Sequence, residues 1–294
     1  MKHCCAMYTF FDYSCQHSCK EPGFQTSGPF GYRMTDCFSS RKPTERFTGR
    51  VEVYRRYRSR FPREIIPLLR KRCGLTPASI IADIGAGTGM LAELFLENGN
   101  TVFAVEPNAE MRAACSELIS SYPRLTCVGA TAEATGLPDR TFDFITAGRA
   151  FHWFDRAKCR PEFQRILRRD GWVLLASADS LKGKEKETIL QDYELLLREH
   201  GLDYAAIRNQ YNVDDAVNEF FSGSEIYKEV FRTVEELTYE EFEGRTLSLS
   251  VTPQPDHPRF PAFRSALQIY FDRYQSHGKI RWPLDCAVCF GHLH

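Results

Sequence analysis

The residues best suited to chemistry lie in a glycine-rich stretch in the first third of the chain. Residues 80–89 read Ile-Ile-Ala-Asp-Ile-Gly-Ala-Gly-Thr-Gly, an apolar run containing Asp83 that gives way to alternating glycines before a helix-like segment at 90–96. Glycines in such a turn let the backbone approach a ligand closely, and the amides at the start of the following helix point towards that ligand. A nucleotide-like cofactor is the expected occupant.

The spacing of the glycines and of a second acid narrows the choice of cofactor. The dinucleotide fingerprint is G-x-G-x-x-G, whereas Gly85, Gly87 and Gly89 form G-x-G-x-G and Met90 stands where the third fingerprint glycine would be. Glu106 ends the next apolar run, 19 residues after Gly87, which is close to the spacing at which a carboxylate reaches ribose hydroxyls. The pattern indicates a nucleoside cofactor other than NAD.

The elements that must position these residues follow from the hydrophobic pattern. Between residues 80 and 176, strand-like and helix-like segments alternate, which is typical of a parallel sheet with helices on both faces. A ligand of such a sheet is expected beyond the carboxyl ends of its strands. Long helical stretches then follow at 185–200 and 214–221, so residues 181–223 are expected to form a cap.

Five segments in order resemble the class I S-adenosylmethionine (SAM) dependent methyltransferases. They are the glycine turn, the second strand with its acid, an adenine-side loop, the fourth strand, and a helix–turn–strand unit, at 83–89, 101–108, 129–138, 142–148 and 163–175. The resemblance implies an α/β fold with a doubly wound, Rossmann-like sheet of seven strands. These strands would be mostly parallel, with an antiparallel last strand from Lys279, and a helical cap would cover the sheet. Pro283 in that last strand indicates an interruption or an edge position.

The resemblance extends beyond the cofactor core. Residues 47–62 are similar to the entry helix of one subgroup of small methyltransferases, and Phe151-His-Trp-Phe-Asp155 is another feature of that subgroup. It therefore implies a methyltransferase domain over residues 45–294, with the cofactor core at 78–180. Residues 1–44 lie outside the resemblance and show no sustained periodicity, so we expect a poorly ordered N-terminal extension.

The resemblance also assigns roles to individual residues. Asp83 would act near the cofactor's amino group, Glu106 on the ribose, and Arg58 on the carboxylate. Met111 would pack against the adenine, although a Met at helical spacing is as often a core residue. The cofactor-binding residues implied are Arg58, Asp83, Gly85, Ala86, Gly87, Gly89, Glu106, Pro107, Met111, Thr131, Ala132 and Glu133.

His152 is the candidate for acid–base work, because it follows the fourth strand and is the side chain there that titrates near neutral pH. Its aromatic neighbours make a packed wall of the pocket an equally open interpretation. No metal is expected. Cys286 and Cys289 have C-x-x-C spacing, but they fall in the expected last strand, where cysteines act as small hydrophobic residues.

Composition favours a small-molecule substrate. Lysines plus arginines number 38, as do aspartates plus glutamates, so no global field exists to hold DNA or RNA. The sequence contains neither a run of about 20 apolar residues nor the apolar core of a signal peptide, which predicts a cytoplasmic protein without a membrane partner. The 11 cysteines are an odd number and scattered, so reduced thiols are expected.

Residues 46–72 are helical in pattern and unusually basic, which leaves two interpretations open. A solvated helix face explains most charge runs of this kind. Alternatively, Arg55, Arg56, Arg60 and Arg63 attract an anionic substrate or RNA to the mouth of the site. The chain also departs from its subgroup at Arg149, where glutamine is usual, and this difference affects the preference for substrate charge.

The sequence therefore predicts a SAM-dependent methyltransferase that transfers a methyl group to a small-molecule, anionic acceptor by direct in-line displacement. An RNA or protein methyltransferase is the first alternative, supported by the basic segment. A non-catalytic binding protein with the SAM fold is the second, because fold and cofactor site do not prove turnover.

Overall fold

A mixed seven-stranded sheet organises the part of the chain that the structure describes. This computed structural model describes residues 47–179, 188–204 and 213–294. The strands within these ranges are β1 (Ile80–Ile84), β2 (Thr101–Val105), β3 (Leu125–Val128), β4 (Phe142–Gly148), β5 (Leu167–Asp179), β6 (Ile226–Leu237) and β7 (Ile280–Gly291). Their order in the sheet is β3-β2-β1-β4-β5-β7-β6.

Helices flank this sheet and extend beyond it. Those described are α1 (Val51–Tyr57), α2 (Ile65–Cys73), α3 (Met90–Glu97), α4 (Ala109–Ser116), α5 (Arg156–Ile166), α6 (Thr188–His200), α7 (Val213–Phe220), α8 (Tyr239–Leu247) and α9 (Phe260–Tyr274). Two short 3₁₀ turns, Glu117–Ser120 and Phe151–Trp153, follow α4 and β4.

The direction of the strands confirms the predicted fold class. Strands β1 to β5 pair in parallel, whereas β7 runs antiparallel to both β5 and β6. The strand order reverses at β1, which lies between β2 and β4. In doubly wound sheets this reversal opens a crevice at the carboxyl ends of the strands, where ligands bind.

Alternate residues of the central strands supply two cores, one on each face of the sheet. Ile81 and Phe144 pack with Phe95 of α3 on one face. Ile145, which follows Phe144 in β4, packs with Phe163 of α5 on the other face. Side chains of a strand alternate between faces, so near-continuous apolar runs are what a sheet covered on both sides requires.

Pro283 lies in a strand that has a neighbour on each side. Strand β7 lies between β5 and β6 in the sheet. The described pairing with β5 extends to Asp285, opposite Asp179, and the described partner of Pro283 is Val234 of β6. The expected edge position is therefore wrong for this strand.

Two local expectations are corrected by the structure. The predicted helix over 46–72 is interrupted between α1 and α2, because Arg58 is extended (ψ 135°) and Pro62 disfavours helical backbone in the residue before it. The turn expected within the helix–turn–strand unit at 163–175 is instead an irregularity within β5, where the register shifts between the pairs Phe142–Leu167 and Phe144–Trp172.

A third core joins α6, α8 and α9 to the start of β7. Tyr193 of α6, Phe242 of α8, and Phe263 and Tyr270 of α9 pack with Trp282.

Of the predicted cap at 181–223, α6 belongs to this core, whereas α7 packs through Val217 and Phe220 in the core that contains Phe163 of α5. Residues 181–187 and 205–212 lie outside the described residues, as does the extension at 1–44. Among the described helices, none is both long enough and apolar enough to span a bilayer.

Candidate functional site

A cavity of about 320 Å³ opens at the carboxyl ends of β1, β2 and β4, where the strand order reverses. We call it the first cavity. Ten of the residues predicted to bind the cofactor line it, namely Asp83, Gly85, Ala86, Gly87, Glu106, Pro107, Met111, Thr131, Ala132 and Glu133. Gly89 lies just behind them at the start of α3. Residues far apart in sequence thus meet at one edge of the sheet.

The turn between β1 and α3 requires glycine at more than one position. Gly85, Gly87 and Gly89 all have positive φ, of 69°, 58° and 86°, a region that other residues rarely adopt. A Cβ on Gly85 would lie 2.6 Å from the Cβ of Ala150, whereas one on Gly87 would contact nothing within 4 Å. The backbone at Gly87 therefore faces open space, as a turn that cradles a ligand must.

Glu106 ties the end of β2 to this turn. Its side chain is buried, with Oε2 accepting a hydrogen bond from the Gly87 amide and Oε1 accepting one from the Asn108 amide, both at 2.8 Å. Burial raises the pKa of this carboxyl above its ordinary value. Each oxygen retains a further lone pair, so the carboxylate can accept hydrogen bonds from a vicinal diol such as a ribose.

Asp83 has an unsatisfied oxygen inside the protein. Its neighbour across the β1–β4 pairing is Thr146, whose hydroxyl donates to Oδ1 at 2.7 Å. The other oxygen, Oδ2, is buried and has no hydrogen-bond partner among the described residues. Burial raises the pKa of Asp83 to about 7. Such a group fits a cationic donor, since an ammonium would both satisfy Oδ2 and favour the charged carboxylate.

The far end of the first cavity is built by α4 and the loop after β3. Asn108 caps α4, because its side chain accepts a hydrogen bond from the Met111 amide at 3.0 Å. This cap fixes Met111, which is buried and lines the cavity. Glu133 accepts a hydrogen bond from the Asp155 amide at 2.9 Å, which holds its loop against the start of α5. Contact of Met111 and of the loop containing Glu133 with an adenine ring stays a prediction.

A second cavity adjoins the first one and shares a wall with it. Phe47, Tyr54, Arg149, Ala150 and Trp153 line both. The rest of the second cavity is mostly apolar and comes from β5, β7 and the helices α6 and α8. Its remote walls include Leu190, Tyr193, Phe242 and Trp282, which belong to the third core.

Arg58 and His152 belong to the second cavity rather than to the first. Arg58 ends α1, and its guanidinium lies over the Tyr54 ring, 5.6 Å from the centroid. His152 sits in the 3₁₀ turn after β4 and packs against Trp153, with 4.6 Å between the ring centroids. Binding of the cofactor carboxylate by Arg58 and acid–base work by His152 stay predictions.

The exposed arginines suggested as an attracting field are each neutralised by a glutamate. Salt bridges join Arg55 to Glu117, Arg56 to Glu240, Arg60 to Glu93, and Arg63 to Glu97. Paired charges at a surface generate little long-range potential. The structure thus favours the solvated-face interpretation of these four residues.

The structure brings into the site two residues to which sequence reasoning assigned no role, Thr146 and Tyr54, and also Arg149, for which it gave only an effect on the preference for substrate charge. Thr146 holds Asp83, Tyr54 contributes to both cavities, and Arg149 lies at their junction. In the sequence, Arg149 stood out only because glutamine is usual at this position in the subgroup that the chain resembles. Thr146 could have been found from the sheet, since neighbouring parallel strands place residues at their carboxyl ends side by side.

Comparison with known proteins identifies the domain. Residues 82–175 match the family model of a methyltransferase domain. An uncharacterized methyltransferase of Mycobacterium tuberculosis is 35% identical over 125 residues, which cover 42% of this chain and 49% of that protein. An uncharacterized methyltransferase of Schizosaccharomyces pombe is 28% identical over 130 residues, covering 44% of this chain and 51% of the relative.

The chain spans about half the length of these curated relatives. The fold is shared with the YcgJ protein of Bacillus subtilis, at a TM-score of 0.52 and 20% identity over 78% of this chain and 98% of that one. The similarities thus comprise a match to a methyltransferase domain at residues 82–175 and a shared fold.

Proposed function

We propose that this chain binds SAM in the first cavity and transfers its methyl group to a small-molecule acceptor in the second cavity. The observation that carries the proposal is the wall common to the two cavities, formed by Phe47, Tyr54, Arg149, Ala150 and Trp153. A direct transfer needs cofactor and acceptor on either side of one junction, since the acceptor atom must lie in line with the bond that breaks.

The residues present fit the cofactor on chemical grounds. The glycine turn offers close backbone approach, Glu106 offers acceptors for a diol, and the buried Oδ2 of Asp83 offers an acceptor for an ammonium. SAM, when bound, supplies an electrophilic methyl carbon on a sulfonium. The chain needs only to orient the acceptor and exclude water, which the aromatic side chains of Tyr54 and Trp153 favour.

The small-molecule nature of the acceptor is supported by the residues that line the second cavity. Its walls are predominantly apolar side chains with a few polar groups, which is the composition of sites for small ligands. A cytoplasmic location, as expected from the sequence, is also part of this proposal. An RNA or protein methyltransferase and a non-catalytic binding protein remain the alternatives that experiment has to separate.

Two measurements test the proposal together. Calorimetry should give micromolar or tighter binding of SAM and of S-adenosylhomocysteine, and no binding of NAD. Incubation with methyl-labelled SAM and separate small-metabolite, RNA and protein fractions should then label the metabolite fraction. Tight NAD binding without SAM binding would refute the cofactor, label in RNA or protein would favour the first alternative, and binding without any turnover would favour the second.

A further inference from the structure

Two guanidinium groups meet at the junction of the cavities. The Cζ atom of Arg58 lies 5.6 Å from the centroid of the Tyr54 ring, and that of Arg149 lies 5.9 Å from the same centroid. Arg149 also lies over Phe61, at 4.4 Å from that ring. Arg58 lines the second cavity, while Arg149 lines both.

Neither guanidinium is compensated by a carboxylate within the described ranges. Arg149 donates from Nη1 to the Ser59 carbonyl at 2.9 Å, its Nη2 contacts the Met90 sulfur at 3.3 Å, and its Nε is buried without a hydrogen-bond partner. The polar contact of Arg58 is a donation to the Ser248 hydroxyl at 3.4 Å. Both side chains therefore retain hydrogen-bonding capacity and positive charge.

The other charges around the second cavity are balanced. Arg245 pairs with Glu235, and Glu194 pairs with Arg198. The arginines nearer the surface also differ from Arg58 and Arg149, because each of them forms a salt bridge with a glutamate. They are Arg55, Arg56, Arg60 and Arg63. Among the charged side chains described around the second cavity, Arg58 and Arg149 thus differ from Arg245 and Glu194 in having no partner of opposite charge.

Holding Arg149 in this place is costly to the protein. Burial, together with repulsion from Arg58, lowers the pKa of its guanidinium to about 10. Its backbone also has φ of +55°, which is unfavourable for a residue other than glycine. Strain and uncompensated charge at one position are typical of functional sites, where a ligand supplies the missing interaction.

We propose that Arg149 binds a carboxylate of the methyl acceptor, so that the substrates of this chain are small organic acids with an apolar body. The inference rests on the proposed function. Arg58 and Arg149 both line the second cavity, so their guanidinium groups lie where the proposed acceptor would bind. A guanidinium fork matches the planar geometry of a carboxylate, and one such group balances a single negative charge.

The test uses an acid and its neutral amide as matched probes. Calorimetry of the full chain saturated with S-adenosylhomocysteine should show 3-phenylpropionate binding about tenfold or more tightly than 3-phenylpropanamide, as a charged hydrogen-bond pair would give. In Arg149→Gln, the residue usual in the subgroup, this preference should disappear while the affinity for S-adenosylhomocysteine stays within about twofold. Arg56→Gln, which removes an exposed and paired arginine, should keep the preference.

Each other result overturns the inference in a recognisable way. An acid that binds no better than its amide, or no binding of either, removes the anion site while SAM binding still stands. Loss of S-adenosylhomocysteine affinity in Arg149→Gln, with the acid preference kept, assigns Arg149 to the cofactor. Phenyl phosphate binding more tightly than the carboxylate excludes an organic acid as the acceptor. Failure of the wild-type chain to bind S-adenosylhomocysteine refutes the proposed function itself.

Discussion

Two buried carboxylates, Asp83 and Glu106, differ in what the protein provides for them. Glu106 has both oxygens hydrogen-bonded to backbone amides, so it is oriented before any ligand arrives. Asp83 has one oxygen satisfied by Thr146 and one left without a partner among the described residues. The first arrangement favours a fixed acceptor of neutral hydroxyls, and the second favours an acceptor that gains from a cation.

Replacing Glu106 with alanine should weaken SAM binding by about 2–3 kcal/mol, because charge-assisted hydrogen bonds to the ribose hydroxyls are lost. Calorimetry measures the change, and thermal unfolding verifies that the variant is folded. Glu117→Ala, which removes an exposed carboxylate paired with Arg55, is the control and should change the affinity by no more than a few tenths of a kcal/mol. Equal affinities of the two variants would assign the ribose to another residue.

Asp83 should make SAM binding depend on pH. With its pKa raised to about 7, it is largely protonated in slightly acidic solution, and the cofactor's ammonium favours the ionised form. Affinity should therefore increase from about pH 6 to about pH 8, with a proton released on binding. Calorimetry in buffers of different ionisation enthalpy counts that proton.

Asp83→Asn is the control for this pH dependence, since an amide neither titrates nor releases a proton.

The raised pKa of Asp83 also predicts an effect of pH on folding. A carboxyl whose pKa is raised in the folded state loses stabilisation as the pH rises from about 4 to about 7, so the free energy of unfolding of the wild type should decline relative to that of the variant. Parallel pH profiles for the two proteins would contradict the assignment of the titrating group.

At the level of elements, the β1–turn–α3 unit was predictable and the second cavity was not. The unit is encoded locally, by an apolar run, three glycines and a helical pattern within 80–97. The second cavity joins Tyr54, Tyr193, Phe242 and Trp282, which lie on four elements distant in sequence. The interruption between α1 and α2 was missed for a related reason, because the helical pattern continues across it and Pro62 alone indicates the break.

Gly85→Ala should damage the turn more than a glycine replacement elsewhere. Both Gly85 and Gly278 have positive φ, but an added Cβ would lie 2.6 Å from Ala150 at Gly85 and would meet nothing within 4 Å at Gly278. Gly278→Ala should thus lose only about 1 kcal/mol of stability to backbone strain. Gly85→Ala should lose more and bind SAM at least about tenfold more weakly, as unfolding curves and calorimetry would show. Equal losses would mean that close packing at the turn is unimportant.

For the whole molecule, the distribution of charge matters more than its sum. Equal numbers of basic and acidic residues, 38 each, already argue against a polyanionic partner. The structure adds that the basic segment is neutralised locally, while Arg58 and Arg149 direct their charge inward. Composition predicted the first point, but pairings such as Arg56 with Glu240 depend on tertiary contacts across most of the chain.

The exposed arginines should therefore contribute little to binding nucleic acid. A protein that neutralises phosphates with Arg56 and Arg60 would bind RNA with a steep dependence on salt, and replacing both residues with glutamine would reduce the slope of log K against log salt by roughly two units. We expect instead weak binding of a single-stranded RNA and the same slope in wild type and double variant, because each arginine already has a glutamate within 3 Å. Fluorescence anisotropy over a salt series measures both slopes. A reduction of the slope by about two units would show that RNA displaces the glutamates. It would make RNA binding the better interpretation of the basic segment at 46–72.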